Sequence, residues 1–193
     1  MSLSTIILAG GKSSRMGTDK ALININGVPL LSRICHIALS CTSPVYLVTT
    51  WPDKYQFIIP NSCTIITEFG DNNGPLIGFY QGLISIPPCE WVLLLACDLP
   101  HLNSTVLQDW ILQLNHVDQG AIALLPSHAK GWHPLCGFYR YNCFSLLEKF
   151  IKNGEKSFQK WLQKYHVQEL KVDDQKVLFN CNTPEDLAAI VNP

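Results

Sequence analysis

The chain has 193 residues, with 14 lysines and arginines against 15 aspartates and glutamates and a formal net charge of −1. This balance argues against a general nucleic-acid binder, which would carry a marked basic excess, and the 47% hydrophobic content argues against a disordered chain. The longest apolar stretch, residues 91–97, is far shorter than the roughly 20 residues of a membrane helix.

Stretches that suit strands alternate along the chain with stretches of helical periodicity. In chain order we predict a strand at 4–9, a helix from Pro29, strands at 45–50 and 63–67, a helix opened by Gly74, a strand at 91–97, a helix at 104–114, strands at 121–125 and 136–141, helices at 145–152 and 157–165, and a last helix from Thr183. The 91–97 run, WVLLLAC, has no polar alternation, which is typical of a strand buried on both faces of a parallel sheet. This order predicts an α/β fold, a Rossmann-like three-layer α/β/α sandwich with a mostly parallel sheet.

We expect a single domain over residues 1–193, because the sequence contains neither an internal repeat nor a low-complexity linker. A second lobe that begins near residue 129 stays open as an alternative. The eight cysteines show no C-x-x-C spacing, which argues against a zinc ribbon or a thioredoxin-like site. No basic segment of the kind that opens a signal peptide precedes the first apolar run, so we expect a cytoplasmic protein.

The first predicted strand ends in a glycine-rich basic loop. Gly10 and Gly11 allow the backbone to approach a ligand closely, and Lys12, Arg15 and Lys20 place three cations within nine residues. Successive backbone N–H groups in such a loop can form an anion-binding concavity. The loop therefore predicts a phosphate site; an exposed glycine turn with a solvated basic face is the alternative.

The loop matches neither of two well-known nucleotide motifs. Met16 stands five residues after Gly11 and no Gly-Lys-Ser/Thr follows, so the loop is not a Walker A motif. Lys12 and Ser13 stand where the dinucleotide fingerprint needs glycines. P-loop hydrolysis and nicotinamide redox chemistry are both disfavoured.

A carboxylate follows the buried 91–97 strand. The carboxyl ends of parallel strands meet at one edge of an open sheet, so we expect Asp98 to face the glycine loop. Mg²⁺ typically takes one or two carboxylates together with phosphate oxygens and water. Asp98 is thus a candidate magnesium ligand, and a turn aspartate before Pro100 is the alternative.

Three further clusters carry residues suited to ligand binding. The segment GPLIG, which contains Gly78, suits a helix start beside a base or ribose. His133 stands in the segment WHPL with an aromatic neighbour, and Asn180 and Asn182 stand at alternating spacing before the last helix. Each has a structural alternative: turn punctuation, a structural histidine, or a helix cap.

Taken together, the LAGG-K-S-S-RMG-T-DK-AL loop, GPLIG, CDLP, HPL-C-G-F-YR and FNCNTPEDL resemble the molybdenum cofactor guanylyltransferases, which belong to the wider nucleotidyltransferase fold group. The resemblance covers nearly the whole chain. The glycine loop alone is shared with sugar-nucleotide pyrophosphorylases and cytidylyltransferases, whereas the ending NxNTPEDL combined with GPLxG and CDxP is much narrower.

The resemblance implies transfer of GMP from GTP to the phosphate of molybdopterin, or of molybdenum-molybdopterin, with Mg²⁺ as cofactor and pyrophosphate as the second product. It implies catalytic roles for Arg15, Lys20 and Asp98, with Asp98 as the metal ligand. It implies a nucleotide pocket formed by Leu8, Ala9, Gly10, Gly11, Lys20, Glu68, Gly78 and Asp98. It implies acceptor contacts in the C-terminal part, about residues 129–193, from His133, Pro134, Asn180 and Asn182. Transient contacts with proteins that deliver and accept the cofactor are a further expectation.

The sequence departs from the family pattern at two positions. The family usually carries an aspartate in the guanosine pocket, where this chain has Glu68, with Asp71 as the alternative if a gap shifts the register. Val48 stands where an asparagine is sometimes found. Two rival functions follow: a related nucleotidyltransferase that acts on a sugar phosphate or isoprenoid precursor or transfers a cytidylyl group, and a nucleotide-binding regulator without turnover.

Overall fold

The computed structural model describes residues 1–10, 19–70, 74–129 and 131–191. Its strands are β1 Leu3–Leu8, β2 Asn24–Ile25, β3 Val28–Pro29, β4 Val45–Thr49, β5 Cys63–Thr67, β6 Trp91–Ala96, β7 Ala123–Leu125, β8 Ser127–His128, β9 Gly131–Trp132, β10 Cys136–Arg140 and β11 Val167–Glu169. Its helices are α1 Leu30–Cys41, α2 Pro52–Tyr55, α3 Pro75–Ser85, α4 Ser104–Gln113, α5 Phe144–Lys152, α6 Phe158–Leu162 and α7 Pro184–Val191. Short 3₁₀ turns lie at Lys20–Leu22, Leu114–His116, Tyr141–Cys143 and Gln175–Leu178.

Seven strands form the central sheet in the order β11-β7-β10-β6-β1-β4-β5. Neighbouring strands are parallel except at β10, which runs antiparallel to both β6 and β7. The pairs β2-β3 and β8-β9 are separate two-stranded hairpins. The α/β class with a mostly parallel sheet is confirmed. The reversed direction of β10 and the existence of β11 and α2 were not predicted.

Two apolar layers cover the two faces of the sheet. Successive residues of a strand point to opposite faces, and β1 accordingly sends Ile6 into one core cluster and Ile7 into the other. Helices α1 and α4 contribute to the cluster around Ile7, and α3, α5 and α6 contribute to the cluster around Ile6. Strand β6 is buried on both faces. The three-layer α/β/α sandwich is therefore confirmed.

The register brings three strand ends to one edge of the sheet. Leu8 at the end of β1 pairs with Val48 of β4 on one side and with Ala96 of β6 on the other. The residues that follow these strands therefore emerge side by side. This edge contains the candidate site.

All eight cysteines are free thiols, and five of them are buried. Such burial is typical of free cysteine, which packs as a small apolar side chain. Among the residues that the structure describes, every helix is too short or too polar to cross a membrane.

Gly137 lies inside β10, where the neighbouring strand leaves no room for a side chain. A Cβ built there would lie 2.7 Å from Leu125 Cδ2 and 2.8 Å from the carbonyl oxygen of Leu124. Because a backbone atom of the sheet cannot move aside, we expect Gly137→Ala to lower the free energy of unfolding by about 2 kcal/mol. Gly120→Ala is the matched control, since its Cβ would meet only His166 Nδ1, at 3.9 Å. Urea unfolding measures both variants, and equal midpoints would contradict the prediction.

Candidate active site

The end of β1 lies at the centre of the site, between the ends of β4 and β6. Leu8 is half-buried, Ala9 is fully buried and Gly10 is exposed. The backbone N–H of Ala9 donates to the carbonyl oxygen of Val48 at 3.1 Å, which extends the pairing of β1 and β4 by one residue. Gly11 and Arg15, two of the predicted nucleotide contacts, lie outside the described residues.

Three distant segments meet at Lys20. Its Nζ lies 3.5 Å from Asp98 Oδ2 and donates a hydrogen bond to Asn182 Oδ1. Lys20 belongs to the 3₁₀ turn Lys20–Leu22, Asp98 follows β6, and Asn182 precedes α7. The structure therefore brings together two residues predicted for the nucleotide and one predicted for the acceptor.

Asp19 fixes the turn that carries Lys20. Its Oδ1 accepts from the N–H of Ala21 at 3.1 Å, and its Oδ2 accepts from the hydroxyl of Tyr55 at 2.8 Å. Lys54 pairs with the same carboxylate. Burial raises the pKa of the Tyr55 phenol, and the hydrogen bond to Asp19 raises it further, so Tyr55 stays a proton donor at neutral pH. Sequence reasoning missed this network, whose only sequence signal is an aspartate directly before Lys20.

Asp98 is a largely buried charge at the centre of the site. Its side chain is 17% exposed, and burial raises the pKa of the carboxyl, an effect that Lys20 opposes. Within the described part of the chain, Asp98 Oδ1 has no hydrogen-bond partner. A buried anionic oxygen without a donor suits a cation.

The donor set around Asp98 fits a hard divalent ion. Across the described ranges, no group of three or more His, Cys, Asp or Glu side chains could hold a metal by itself. Mg²⁺ commonly binds to one or two carboxylates and takes its remaining oxygens from phosphate and water. Asp98 Oδ1 is suited to supply the protein ligand.

The start of α7 holds the segment of Asn182 in place. The N–H groups of Asn182 and Thr183 both donate to Asp186 Oδ2 at 2.8 Å, and the N–H of Asp186 donates to Thr183 Oγ1 at 3.2 Å. This reciprocal capping confirms the helix start that was predicted at Thr183. The N–H of Cys181 also donates to the carbonyl oxygen of Asp98 at 3.0 Å, so the two segments lie side by side.

Glu68 directly follows β5, which lies beyond β4 from β1 in the sheet. Its N–H donates to the carbonyl oxygen of Thr49 at 2.8 Å. A Cβ built on Gly78 would lie 3.3 Å from Glu68 Oε2, and one built on Gly10 would lie 3.8 Å from the same oxygen. Burial raises the pKa of Glu68. Glu68, Gly10 and Gly78, all predicted for the nucleotide, therefore meet, whereas the alternative Asp71 lies outside the described residues.

Val48, at the other position that departs from the family pattern, lies in the core. It is 1% exposed and belongs to the apolar cluster around Ile6. Its Cγ2 would lie 3.0 Å from a Cβ built on Gly82 of α3. Val48 therefore serves the packing of β4 against α3.

His133 and Pro134 lie before β10. Because β10 runs opposite to β6, its first residues lie where β6 ends: the N–H of Ala96 donates to the carbonyl oxygen of Leu135 at 2.9 Å. The Pro134 carbonyl accepts from the hydroxyl of Tyr139 at 2.7 Å. The sheet thus brings these two residues to the edge that carries Asp98.

The imidazole of His133 has its own environment. Its ring centroid lies 4.6 Å from that of His128. Burial lowers the pKa of His133, and His128 lowers it further. His133 is therefore neutral at pH 7 and suited to hydrogen bonding rather than to charge pairing.

Comparisons with known proteins agree with this geometry. Residues 5–170 match the family model of the MobA-like NTP transferase domain. A probable molybdenum cofactor guanylyltransferase from Trichormus variabilis is 57% identical over 188 residues, which cover 97% of this chain and 90% of that protein. One from Synechococcus elongatus is 39% identical over 192 residues, which cover 98% of each.

The fold is also similar to that of a solved structure. The crystal structure of molybdopterin-guanine dinucleotide biosynthesis protein A from Archaeoglobus fulgidus matches with a TM-score of 0.79 and 21% identity. The match covers 97% of this chain and 96% of that one. It shows a shared fold.

Proposed function

Because the chain belongs to the MobA-like NTP transferase family, we propose that it transfers GMP from GTP to the phosphate of molybdopterin and releases pyrophosphate. The chain is a nucleotidyltransferase, and its curated relatives are named molybdenum cofactor guanylyltransferases. The observation that carries the proposal is the carboxylate of Asp98 at the strand edge. Its Oδ2 lies 3.5 Å from Lys20 Nζ, and its Oδ1 has no hydrogen-bond partner among the described residues.

The chemistry follows from the charges of the two substrates. An oxygen of the molybdopterin phosphate attacks the α-phosphorus of GTP, and the bond from that phosphorus to the bridging oxygen of the β-phosphate breaks. A phosphate monoester has a second pKa near 6, so it is largely dianionic at pH 7 and needs no general base. The protein must instead hold two polyanions in line, which makes positioning and electrostatic stabilisation the main catalytic effects.

Lys20 and Asp98 divide this task. The Lys20 ammonium lies 3.5 Å from Asp98 Oδ2 at the strand edge, and it would supply positive charge to the triphosphate. Asp98 would hold Mg²⁺ through Oδ1, and the ion would supply positive charge to the phosphates there. Arg15, outside the described residues, would add a second cation.

Glu68 is suited to select the base. Guanine carries two neighbouring N–H donors on its pairing edge, at N1 and at the 2-amino group, and an ionised carboxylate can accept from both. Gly78 and Gly10 leave room for Glu68 because neither carries a Cβ. The longer side chain can therefore take the place of the aspartate that is usual in the family.

The base-selection role predicts a change of nucleotide preference. Glu68→Gln presents an N–H₂ group where guanine needs acceptors, so we expect kcat/KM for GTP to fall about thirtyfold, since a hydrogen bond to a charged group contributes ~1.5–3 kcal/mol. ITP lacks the 2-amino group and should lose less. Steady-state kinetics with both nucleotides measures this.

Glu90→Gln is the matched control for Glu68→Gln. Glu90 directly precedes β6, at the end of that strand opposite to Asp98. Its substitution should leave both nucleotides unaffected. An unchanged ratio of GTP to ITP in Glu68→Gln would assign base selection to another residue, with Asp71 the first to test.

The acceptor side of the proposal rests on His133, Pro134 and Asn180. Together with Asn182 they belong to the C-terminal part, about 129–193, of a single domain. Molybdopterin, free or carrying molybdenum, would bind there. The cytoplasmic location and the transient contacts with cofactor-delivering and cofactor-accepting proteins stay predictions.

Mass spectrometry of the product tests the whole proposal. The purified chain is incubated with GTP, Mg²⁺ and molybdopterin, and we expect a guanylylated pterin together with stoichiometric pyrophosphate. The same molybdopterin must be consumed by a relative of established activity. If the acceptor is competent and no guanylylated pterin forms, the proposal is wrong, and CTP with sugar or isoprenoid phosphates become the next substrates to test.

A further inference from the structure

Among the residues that the structure describes, three glutamine side chains bind the backbone of distant residues in the same way. In each case Nε2 donates to a carbonyl oxygen and Oε1 accepts from the N–H of the same residue, as a neighbouring strand would do. The pairs are Gln81 with Phe69 at 2.9 and 2.8 Å, Gln159 with Trp132 at 2.7 and 3.2 Å, and Gln113 with Lys171 at 3.0 and 3.0 Å. We call each of these a glutamine clasp.

The first clasp acts on the residue next to Glu68. Gln81 lies on α3 one turn after Gly78, so both face the same side of the helix. Gly78 meets the carboxylate of Glu68 while Gln81 binds the backbone of Phe69. On the other side, the N–H of Glu68 is bound to Thr49. The backbone is therefore fixed on both sides of the carboxylate that faces the base.

Phe69 is 76% exposed, so apolar burial contributes little to holding this segment. The two hydrogen bonds from Gln81 are well within the ordinary range of length. Their function is therefore to fix the direction in which Glu68 leaves β5.

The second clasp acts on the residue next to His133. Gln159 lies on α6, which Phe158 and Trp161 anchor in the core. A Cβ on Gly131 would lie 2.5 Å from Gln159 Oε1, so the loop and the helix are in direct contact. The backbone that leads into His133 and Pro134 is thereby tied to a buried helix.

The third clasp joins two elements that carry no residue predicted for a substrate. Gln113 is at the end of α4, and Lys171 follows the edge strand β11. Neither residue was predicted to contact a substrate, so this clasp serves as a control of the same chemistry.

We infer that Gln81 and Gln159 are positioning residues, one for each substrate: Gln81 orients Glu68 toward the base of the nucleotide, and Gln159 orients the 133–134 segment toward the acceptor. The inference rests on the proposed function. It predicts that loss of either clasp affects one substrate and leaves the other unchanged.

Replacement of each glutamine by methionine, which keeps the length but not the hydrogen bonds, tests the inference. Gln81→Met should raise KM for GTP about tenfold and lower the preference for GTP over ITP, with KM for molybdopterin unchanged. Gln159→Met should raise KM for molybdopterin about tenfold, with the nucleotide parameters unchanged. Gln113→Met should leave both unchanged while lowering Tm as much as the other two variants.

A purely structural role would lower Tm alone, or would affect both substrates equally in all three variants, and either result would overturn the inference. Gln81→Glu and Gln159→Glu, which still accept from the N–H but cannot donate, should show intermediate effects, and they replace a methionine variant that fails to fold.

Calorimetric titration with GTP and ITP tests Gln81 even if the wild type transfers nothing. A wild type that guanylylates molybdopterin while Gln81→Met keeps its GTP preference would refute the positioning role and leave the proposed function standing.

Discussion

Replacement of Asp98 by asparagine is expected to reduce turnover at least about a hundredfold while leaving the fold intact. A neutral amide is a weaker ligand than a carboxylate for a hard divalent cation, so the site would lose the positive charge that Mg²⁺ would supply to the phosphates. The stability of the fold, by contrast, should stay equal or rise. Burial raises the pKa of Asp98 above its ordinary value, so the ionised carboxylate costs folding free energy above that pKa, and the neutral amide removes the cost.

Because turnover should fall while stability stays equal or rises, the variant distinguishes a catalytic role of Asp98 from a role in folding. The measurement is kcat at saturating Mg²⁺ together with a thermal melt at neutral pH. We expect a slower enzyme with an equal or higher Tm, which is common where a charge serves function at the cost of stability. Asp109→Asn, at an exposed carboxylate on α4, is the matched control and should change neither value. Wild-type turnover in Asp98→Asn would remove Asp98 from the mechanism.

Replacement of Lys20 by methionine is expected to weaken GTP binding by about thirtyfold. The Lys20 side chain is 21% exposed, and its ammonium lies at the point where three segments meet, so its charge is less screened than that of a surface lysine. A charge-assisted hydrogen bond to phosphate contributes about 2 kcal/mol. Calorimetric titration with GTP and with pyrophosphate should show the loss for both ligands, because both carry the phosphates that Lys20 would bind.

The variant Lys149→Met provides the control for Lys20→Met, since Lys149 is exposed on α5. A double mutant of Lys20 and Asp98 adds a second check. The two side chains are in contact, so their effects on GTP binding should not add. Unchanged GTP affinity in Lys20→Met, or additive effects in the double mutant, would contradict the role of this pair.

Local sequence patterns predicted the elements whose stability comes from burial. The 63–67 strand was predicted at the bounds of β5, and the 91–97 strand was predicted one residue too long, because a continuous apolar run has few alternative structures. Strand β11 has the sequence Val-Gln-Glu and carries no such pattern. It forms because β7 offers a parallel neighbour, and that pairing is a property of the tertiary structure.

The site was predictable to the extent that it follows from strand ends. The proximity of Asp98 and Lys20 follows from the rule that parallel strands end at one edge of a sheet. The contact between Lys20 and Asn182, which joins residues 162 positions apart, has no local signal. The same holds for Tyr55, a buried phenol whose partner Asp19 could be known only from the folded chain.

Because β10 runs antiparallel to β6, the segment with His133 and Pro134 reaches the edge of Asp98 from a separate part of the chain. The chain enters β10 beside Leu95, at the end of β6 that carries Asp98, and leaves it beside Trp91 at the opposite end. The segment before β10 can therefore lengthen or change without shifting any strand that carries the proposed nucleotide pocket. Changes in this segment could therefore alter which acceptor is used while the strands of the proposed nucleotide pocket stay unchanged.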